Sequence, residues 1–79
     1  MRAICLITTK PGKIDSTIEL IKKKRKIKKD IAIVTGRADI CVFLKGTLDE
    51  INSTVINYKQ IKDISSTETL VEIEVDLGW

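Results

Sequence analysis

Four short stretches gather the side chains of this chain that could do chemistry. Gly36-Arg37-Ala38-Asp39 sets a cation and a carboxylate on one tight connection. Its glycine lets a ligand approach the backbone closely. Its plainer reading is turn chemistry, with Gly supplying a positive φ and Asp bonding the local backbone. Thr67-Glu68-Thr69 places two hydroxyls on one side of an extended segment, a pattern that β-propensity alone also produces. Lys10-Pro11-Gly12 is a turn by composition. Residues 22 to 29, KKKRKIKK, could contact phosphates. They carry no interleaved aromatics for base stacking, and cations at a helix end also suit the helix dipole.

What is missing narrows the chemistry further. The chain has no histidine. That removes the usual general base, the commonest metal ligand and Ser-His-Asp catalysis. No phosphate-binding glycine loop or dinucleotide fingerprint is present, so neither an enzymatic role nor a cofactor is expected. Cys5 and Cys41 each lie inside an apolar run, which suits buried free thiols better than a disulfide framework or a zinc site.

The 79 residues, 43% hydrophobic and 32% charged, describe one small globular domain, residues 1–79. A chain of this size buries only about 60% of its unfolded surface, so alone it is marginal. Its net charge of +3 hides a dipolar layout. Residues 22 to 29 hold seven of the fourteen basic residues, and from Asp63 onward there are five acidic residues and no basic ones. The N-terminus lacks a signal-peptide pattern, and no stretch reaches the roughly 20 apolar residues of a membrane span, so a soluble, cytoplasmic protein is expected. Abundant Ile and Lys with a single glutamine point to a thermophile or an AT-rich genome.

The elements that must position these groups follow from periodicity. Residues 2 to 8 read as a strand ending before the Lys10-Pro11-Gly12 turn, and residues 13 to 26 shift to helical spacing through Ile14, Thr17, Ile18 and Ile21. Residues 31 to 35 and 40 to 44 predict a two-stranded hairpin around Gly36–Asp39. Thr47 and Glu50 form a capping box that opens a helix over roughly 48 to 60. Residues 67 to 76 predict a fourth strand, alternating Val71, Ile73 and Val75 with Glu72, Glu74 and Asp76. The order βαββαβ, with right-handed crossovers, predicts a ferredoxin-like α+β fold with both helices on one face of an antiparallel sheet.

The sheet carries a statement about partners. AICLI and ICVFL, in the first and third strands, are each five consecutive apolar residues. Successive strand residues point to opposite faces, so both faces of the central strands are apolar, while two helices cover one. A second copy packing sheet against sheet solves this. The basic run could also meet the acidic Glu72–Glu74–Asp76 ribbon of another subunit.

Taken together, the motifs resemble the ligand-binding (RAM) domain of the Lrp/AsnC transcriptional regulators. The pattern is a Pro-Gly turn after the first strand (Lys10-Pro11-Gly12), a Thr-Gly-x-x-Asp hairpin (Thr35-Gly36-Arg37-Ala38-Asp39-Ile40), and a Thr-x-Thr step into the last strand (Ile64-Ser65-Ser66-Thr67-Glu68-Thr69). It spans essentially the whole chain in order. The resemblance implies a dimeric α/β barrel, assembly of dimers as far as octamers, and an amino-acid effector bound between dimers. It implies a ligand site formed by Thr35, Gly36, Arg37, Asp39, Thr67 and Thr69. There Asp39 could pair with an α-ammonium, and Gly36 could admit a carboxylate to the backbone. The helix-turn-helix of full-length members does not precede the first strand here. The implication is a stand-alone form without direct operator binding that could co-assemble with full-length regulators. Two positions depart from the pattern: Ala38 stands where an aromatic is frequent, and Asp63 where Gly is usual.

The expected function is therefore a non-enzymatic amino-acid-sensing and oligomerisation module linked to transcription regulation. The alternatives are a pure interaction module, a nucleic-acid binder using residues 22 to 29, and an ACT-type regulatory domain. A cofactor-free monooxygenase of the dimeric barrel class is a further alternative. The missing histidine argues against it, as does the position of Trp79 at the end of the sequence.

Overall fold

The computed structural model describes residues 1–24 and 28–73. Its first strand, β1 (Arg2–Thr9), alternates buried Ala3, Cys5, Ile7 and Thr9 with half-buried Ile4, Leu6 and Thr8. The turn at Pro11 and Gly12, with Gly12 at φ +77°, leads into helix α1 (Ile14–Lys23). Strands β2 (Lys28–Ile33) and β3 (Ile40–Lys45) form the expected hairpin. Helix α2 (Leu48–Lys59) and strand β4 (Ile64–Val71) complete the order βαββαβ.

The four strands form one antiparallel sheet in the order β2-β3-β1-β4. This is the ferredoxin-like arrangement. Strands β1 and β3 occupy the centre, as their continuous apolar runs require. Directly opposed residues of an antiparallel pair share a face. Ala3, Cys5 and Ile7 of β1 therefore lie with Ile40, Val42 and Leu44 of β3, and with Ile21 of α1 and Ile51, Val55 and Tyr58 of α2. Both helices cover this one face. Helix α2 opens as its sequence dictates: the Glu50 N–H donates to Thr47 Oγ1 at 3.1 Å, and the Thr47 N–H donates to Glu50 Oε1 at 2.9 Å. Each bond satisfies a donor that a helix start leaves without a partner.

Several boundaries differ from the sequence reading, and strand β2 ends at Ile33 instead of residue 35. Helix α1 ends at Lys23 instead of residue 26, and Lys24 is already extended at φ −92°, ψ 91°. Strand β2 starts at Lys28 instead of residue 31, because β3 runs to Lys45 and its end pairs with Lys28. The basic run is thus divided between a helix end and a strand, with residues 25–27 outside the described residues. Strand β4 starts at Ile64 instead of residue 67. Strand β1 reaches Thr9, whose partner is Ile64, and a register shift between Thr8 and Thr9 accommodates the extra length. Strand β4 ends at Val71, short of the predicted residue 76: Glu72 and Ile73 are no longer in it, and residues 74–76 lie outside the described residues.

Candidate functional site

The β2–β3 connection closes over the end of β1 through an ordered set of bonds. The Val34 N–H donates to the Asp39 carbonyl, and the Asp39 N–H donates to the Ile7 carbonyl, both at 2.9 Å. The Asp39 carboxylate reaches across to β1. Its Oδ2 accepts the Thr9 N–H at 2.9 Å and the Thr9 hydroxyl at 3.3 Å. Oδ1 makes no hydrogen bond among the described residues. Gly36 sits at φ +111°, a conformation that side chains with a Cβ rarely adopt, with nothing within 4 Å of where a Cβ would stand. The loop therefore exposes backbone at its tip while its base is fixed.

Arg37 extends from this loop to β4, where its guanidinium pairs with Glu68 at 2.7 Å. The Arg37 carbonyl accepts from the Thr8 hydroxyl at 3.4 Å. Both Arg37 and Glu68 are largely exposed, so the pair orients the loop more than it stabilises the fold. Thr35 is exposed beside Gly36, whereas Ala38 is buried beneath the loop. Thr67 is half-buried at the same end of the sheet, in register with Ile7. Thr69 stands apart. It is two residues farther along β4, and its hydroxyl donates to Cys5 Sγ at 3.7 Å on the helix-covered face. Of the six candidate residues, Thr35, Gly36, Arg37 and Asp39 gather on the hairpin at one end of the sheet; Thr67 lies at that end too but, like Thr69, on the helix-covered face, opposite Ile7. Thr9 and Glu68 belong to this constellation too. Sequence reading missed both, since they lie about 30 residues from their partners.

The second feature is the sheet face that the helices leave open. Ile4, Leu6, Phe43 and Leu70 lie on it, with Phe43 46% and Leu70 51% exposed. Cys41 lies on the same face opposite Leu6 but is only 7% exposed. Cys5 points to the other face, so the two thiols cannot bridge within one chain. Burial pushes both thiols above the usual cysteine range; for Cys5 the Thr69 hydrogen bond works in the opposite direction. At the end of this face away from the hairpin lies a groove of about 620 Å³. Ile4, Phe43 and Leu70 line it, with Arg2, Lys29, Asp30, Lys45 and Glu72 around them. The Arg2 guanidinium holds the Glu72 carboxylate, with Nε at 2.9 Å from Oε2. That bond holds the carboxyl below its ordinary range. The predicted ligand residues and this groove thus occupy opposite ends of the sheet.

No group of three metal-binding side chains exists among the described residues, and none of their helices is long and apolar enough to cross a membrane. No protein-family model and no curated protein matches the sequence. Solved structures do match. The TTHA0845 protein of Thermus thermophilus superposes with a TM-score of 0.83 at 19% identity, covering 95% of each chain. E. coli AsnC matches with a TM-score of 0.79 at 21% identity, over 94% of this chain and 51% of its own. An AsnC family transcriptional regulator from Agrobacterium tumefaciens matches at 0.72 and 10% identity, over 94% of this chain and 50% of its own. The fold is that of the Lrp/AsnC-type regulators. This chain spans about half the length of AsnC and of the Agrobacterium regulator, and nearly the whole of TTHA0845. Among the described residues, the Thr35–Asp39 hairpin and the open sheet face are two surfaces that lie outside the chain's own core.

Proposed function

We propose that this chain is a non-enzymatic sensing and assembly module of the Lrp/AsnC type, working in transcription regulation. The observation that carries the reading is the open sheet face. A chain of 79 residues leaves Phe43 and Leu70 about half exposed on one surface beside Ile4 and Leu6. A second copy packing its own open face there completes a core that one copy is too small to build, giving the dimeric α/β barrel. The likeness to AsnC-type folds supports the same arrangement.

The effector is an amino acid held at the hairpin. Asp39 Oδ1 faces its ammonium while Oδ2 keeps the loop tied to Thr9. Backbone at Gly36 and the guanidinium of Arg37 meet its carboxylate, with Thr35 beside them and Thr67 supporting this end of β4 from the helix-covered face. Thr69, engaged with Cys5, shapes this end of β4 from behind. A ligand held there sits where one dimer meets the next, as the resemblance to the Lrp/AsnC ligand-binding domain implies. Binding then shifts assembly only by its differential affinity for the assembled states. The dimer itself, or a larger oligomer built from full-length regulators of the same type, is the partner. Titration calorimetry against the twenty amino acids, run with light scattering, tests the reading. Heat and a change in molar mass with at least one of them are expected. No heat and no mass change with any of them would reject amino-acid sensing.

A further inference from the structure

The ligand contacts described above leave Glu68 unused, although it already holds Arg37. Strand register sets Glu68 opposite Leu6, at the hairpin margin of the sheet. The Arg37 guanidinium crosses to it from the loop and pairs at 2.7 Å. The Arg37 carbonyl accepts from the Thr8 hydroxyl, and the neighbouring Thr9 holds Oδ2 of Asp39. The end of β1 thus gathers two carboxylates and one guanidinium. Lys10, next along the chain, makes no ion pair with either carboxylate among the described residues. We infer that Glu68 is a specificity-determining residue of this site, and that the effector is a basic amino acid whose side-chain cation pairs with Glu68. This inference rests on the amino-acid reading above and names the ligand class within it.

Charge balance carries it first. Asp39 and Glu68 are negative and Arg37 is positive, so the empty constellation favours a ligand with one net positive charge. An amino acid brings a carboxylate that competes with Glu68 for Arg37. Once the ligand carboxylate takes Arg37, Glu68 loses its counter-charge. A neutral amino acid offers no replacement, so its binding exchanges one ion pair for another. A basic amino acid supplies the replacement itself. Its α-ammonium meets Asp39, its α-carboxylate meets Arg37, and its side-chain cation meets Glu68. Three negative groups (Asp39, Glu68 and the ligand carboxylate) then face three positive ones (Arg37 and the two ligand cations). An acidic amino acid sets a second carboxylate beside Glu68 and is rejected. Span carries the inference next. Asp39 continues β3 beside β1, where its N–H donates to the Ile7 carbonyl, and Glu68 lies on β4 across β1. Their main chains stand two strand spacings apart, or about 10 Å. A ligand that touches both carboxylates must be long and carry a cation at each end, as lysine and arginine do. Exposure carries it last. Arg37 is largely exposed and Glu68 about half exposed, so their pair opens without disturbing the core. Phe43 and Leu70, farther along the sheet, are left for the second copy.

Titration calorimetry with lysine, arginine, norleucine and glutamate tests it, on the full chain, on Glu68→Gln and on Glu68→Lys. Norleucine has the carbon skeleton of lysine without the side-chain charge. Circular dichroism and molar mass are measured on the same samples. The unmodified chain should bind lysine or arginine about ten-fold more tightly than norleucine, the worth of one charge-assisted bond. Glu68→Gln should bring that ratio close to one, weakening lysine and strengthening norleucine, because Arg37 then has no competitor for the ligand carboxylate. Glu68→Lys should turn the preference toward glutamate, an outcome that misfolding does not produce. Norleucine binding as tightly as both basic amino acids to the unmodified chain would overturn the basic class while leaving amino-acid sensing in place. A lysine preference that survives in Glu68→Gln would overturn the role of Glu68. No heat with any of the twenty amino acids would overturn this inference together with the reading on which it rests.

Discussion

Replacing Asp39 by alanine separates two roles that one carboxylate could play. Oδ2 accepts both the backbone N–H and the hydroxyl of Thr9, and Thr9 is only 7% exposed. Removing the carboxylate leaves the Thr9 N–H without its acceptor at a site that water reaches poorly. A buried donor left unsatisfied costs about 1–3 kcal/mol, more than the net worth of a typical hydrogen bond. For a domain of this size each kcal/mol lowers the melting temperature by about 4–8 °C. Asp39→Ala should therefore melt at least about 4 °C lower, and up to about 24 °C lower if the full penalty applies. Asp39→Asn keeps a side-chain oxygen but not the charge, and charge-assisted bonds are about twice as strong as neutral ones, so it should fall between. Thermal unfolding followed by circular dichroism reads all three proteins. A melting temperature unchanged in Asp39→Ala would refute the reasoning, because the Asp39–Thr9 clip would then hold nothing.

Other outcomes follow from the same structure. Leu6→Asp puts a carboxylate into the open face. Each copy loses about 1 kcal/mol of apolar burial and carries a desolvation cost of about 1–3 kcal/mol, and two-fold symmetry doubles both. A total of at least about 4 kcal/mol weakens the dimer about a thousand-fold. Sedimentation equilibrium should show the variant as a monomer that keeps its far-ultraviolet spectrum. Backbone and hydroxyl bonds from Thr47 hold the Glu50 carboxyl below its usual range, and Arg2 does the same for Glu72. Groups with a lowered folded pKa contribute stability in full above the usual carboxylate range and lose it as pH falls through the folded value. Melting temperature should thus drop on acidification, and Glu50→Gln with Glu72→Gln should flatten that drop. Thr47→Ala removes the cap and should cost about 1 kcal/mol in denaturant titrations. Buried on opposite faces with their pKa values raised, Cys5 and Cys41 should react slowly with a thiol reagent in the native chain and fully in denaturant. Rapid native labelling of both would contradict the packing of β1 and β3.

Local chemistry was legible in the sequence, and distant pairing was not. The Thr47–Glu50 box is written within four residues, and both of its bonds form as expected. The apolar runs of β1 and β3 announced two buried central strands because every position in them is apolar. The early start of β4 was hidden, since Ser65 and Ser66 carry no strand signal of their own and pair only because β1 extends beside them. The end of α1 was hidden for a similar reason: KKKRKIKK is consistent with a helix, but β3 draws Lys28 and Lys29 into the sheet. At the hairpin, the sequence marked Gly36 and Asp39 by type. Thr9 and Glu68, which hold Asp39 and Arg37, are far away along the chain, and no local pattern points to them. Thr69 shows the converse. It has the right type and spacing, yet strand alternation turns its hydroxyl toward Cys5.

The open sheet face is the centre of the account, and molar mass against concentration tests it most directly. Light scattering of the unmodified chain from nanomolar to high micromolar concentration should show a species of at least twice 8.9 kDa that dissociates only on dilution. A mass of one chain at every concentration would contradict it, because the apolar face would then stand in water with no second copy to cover it.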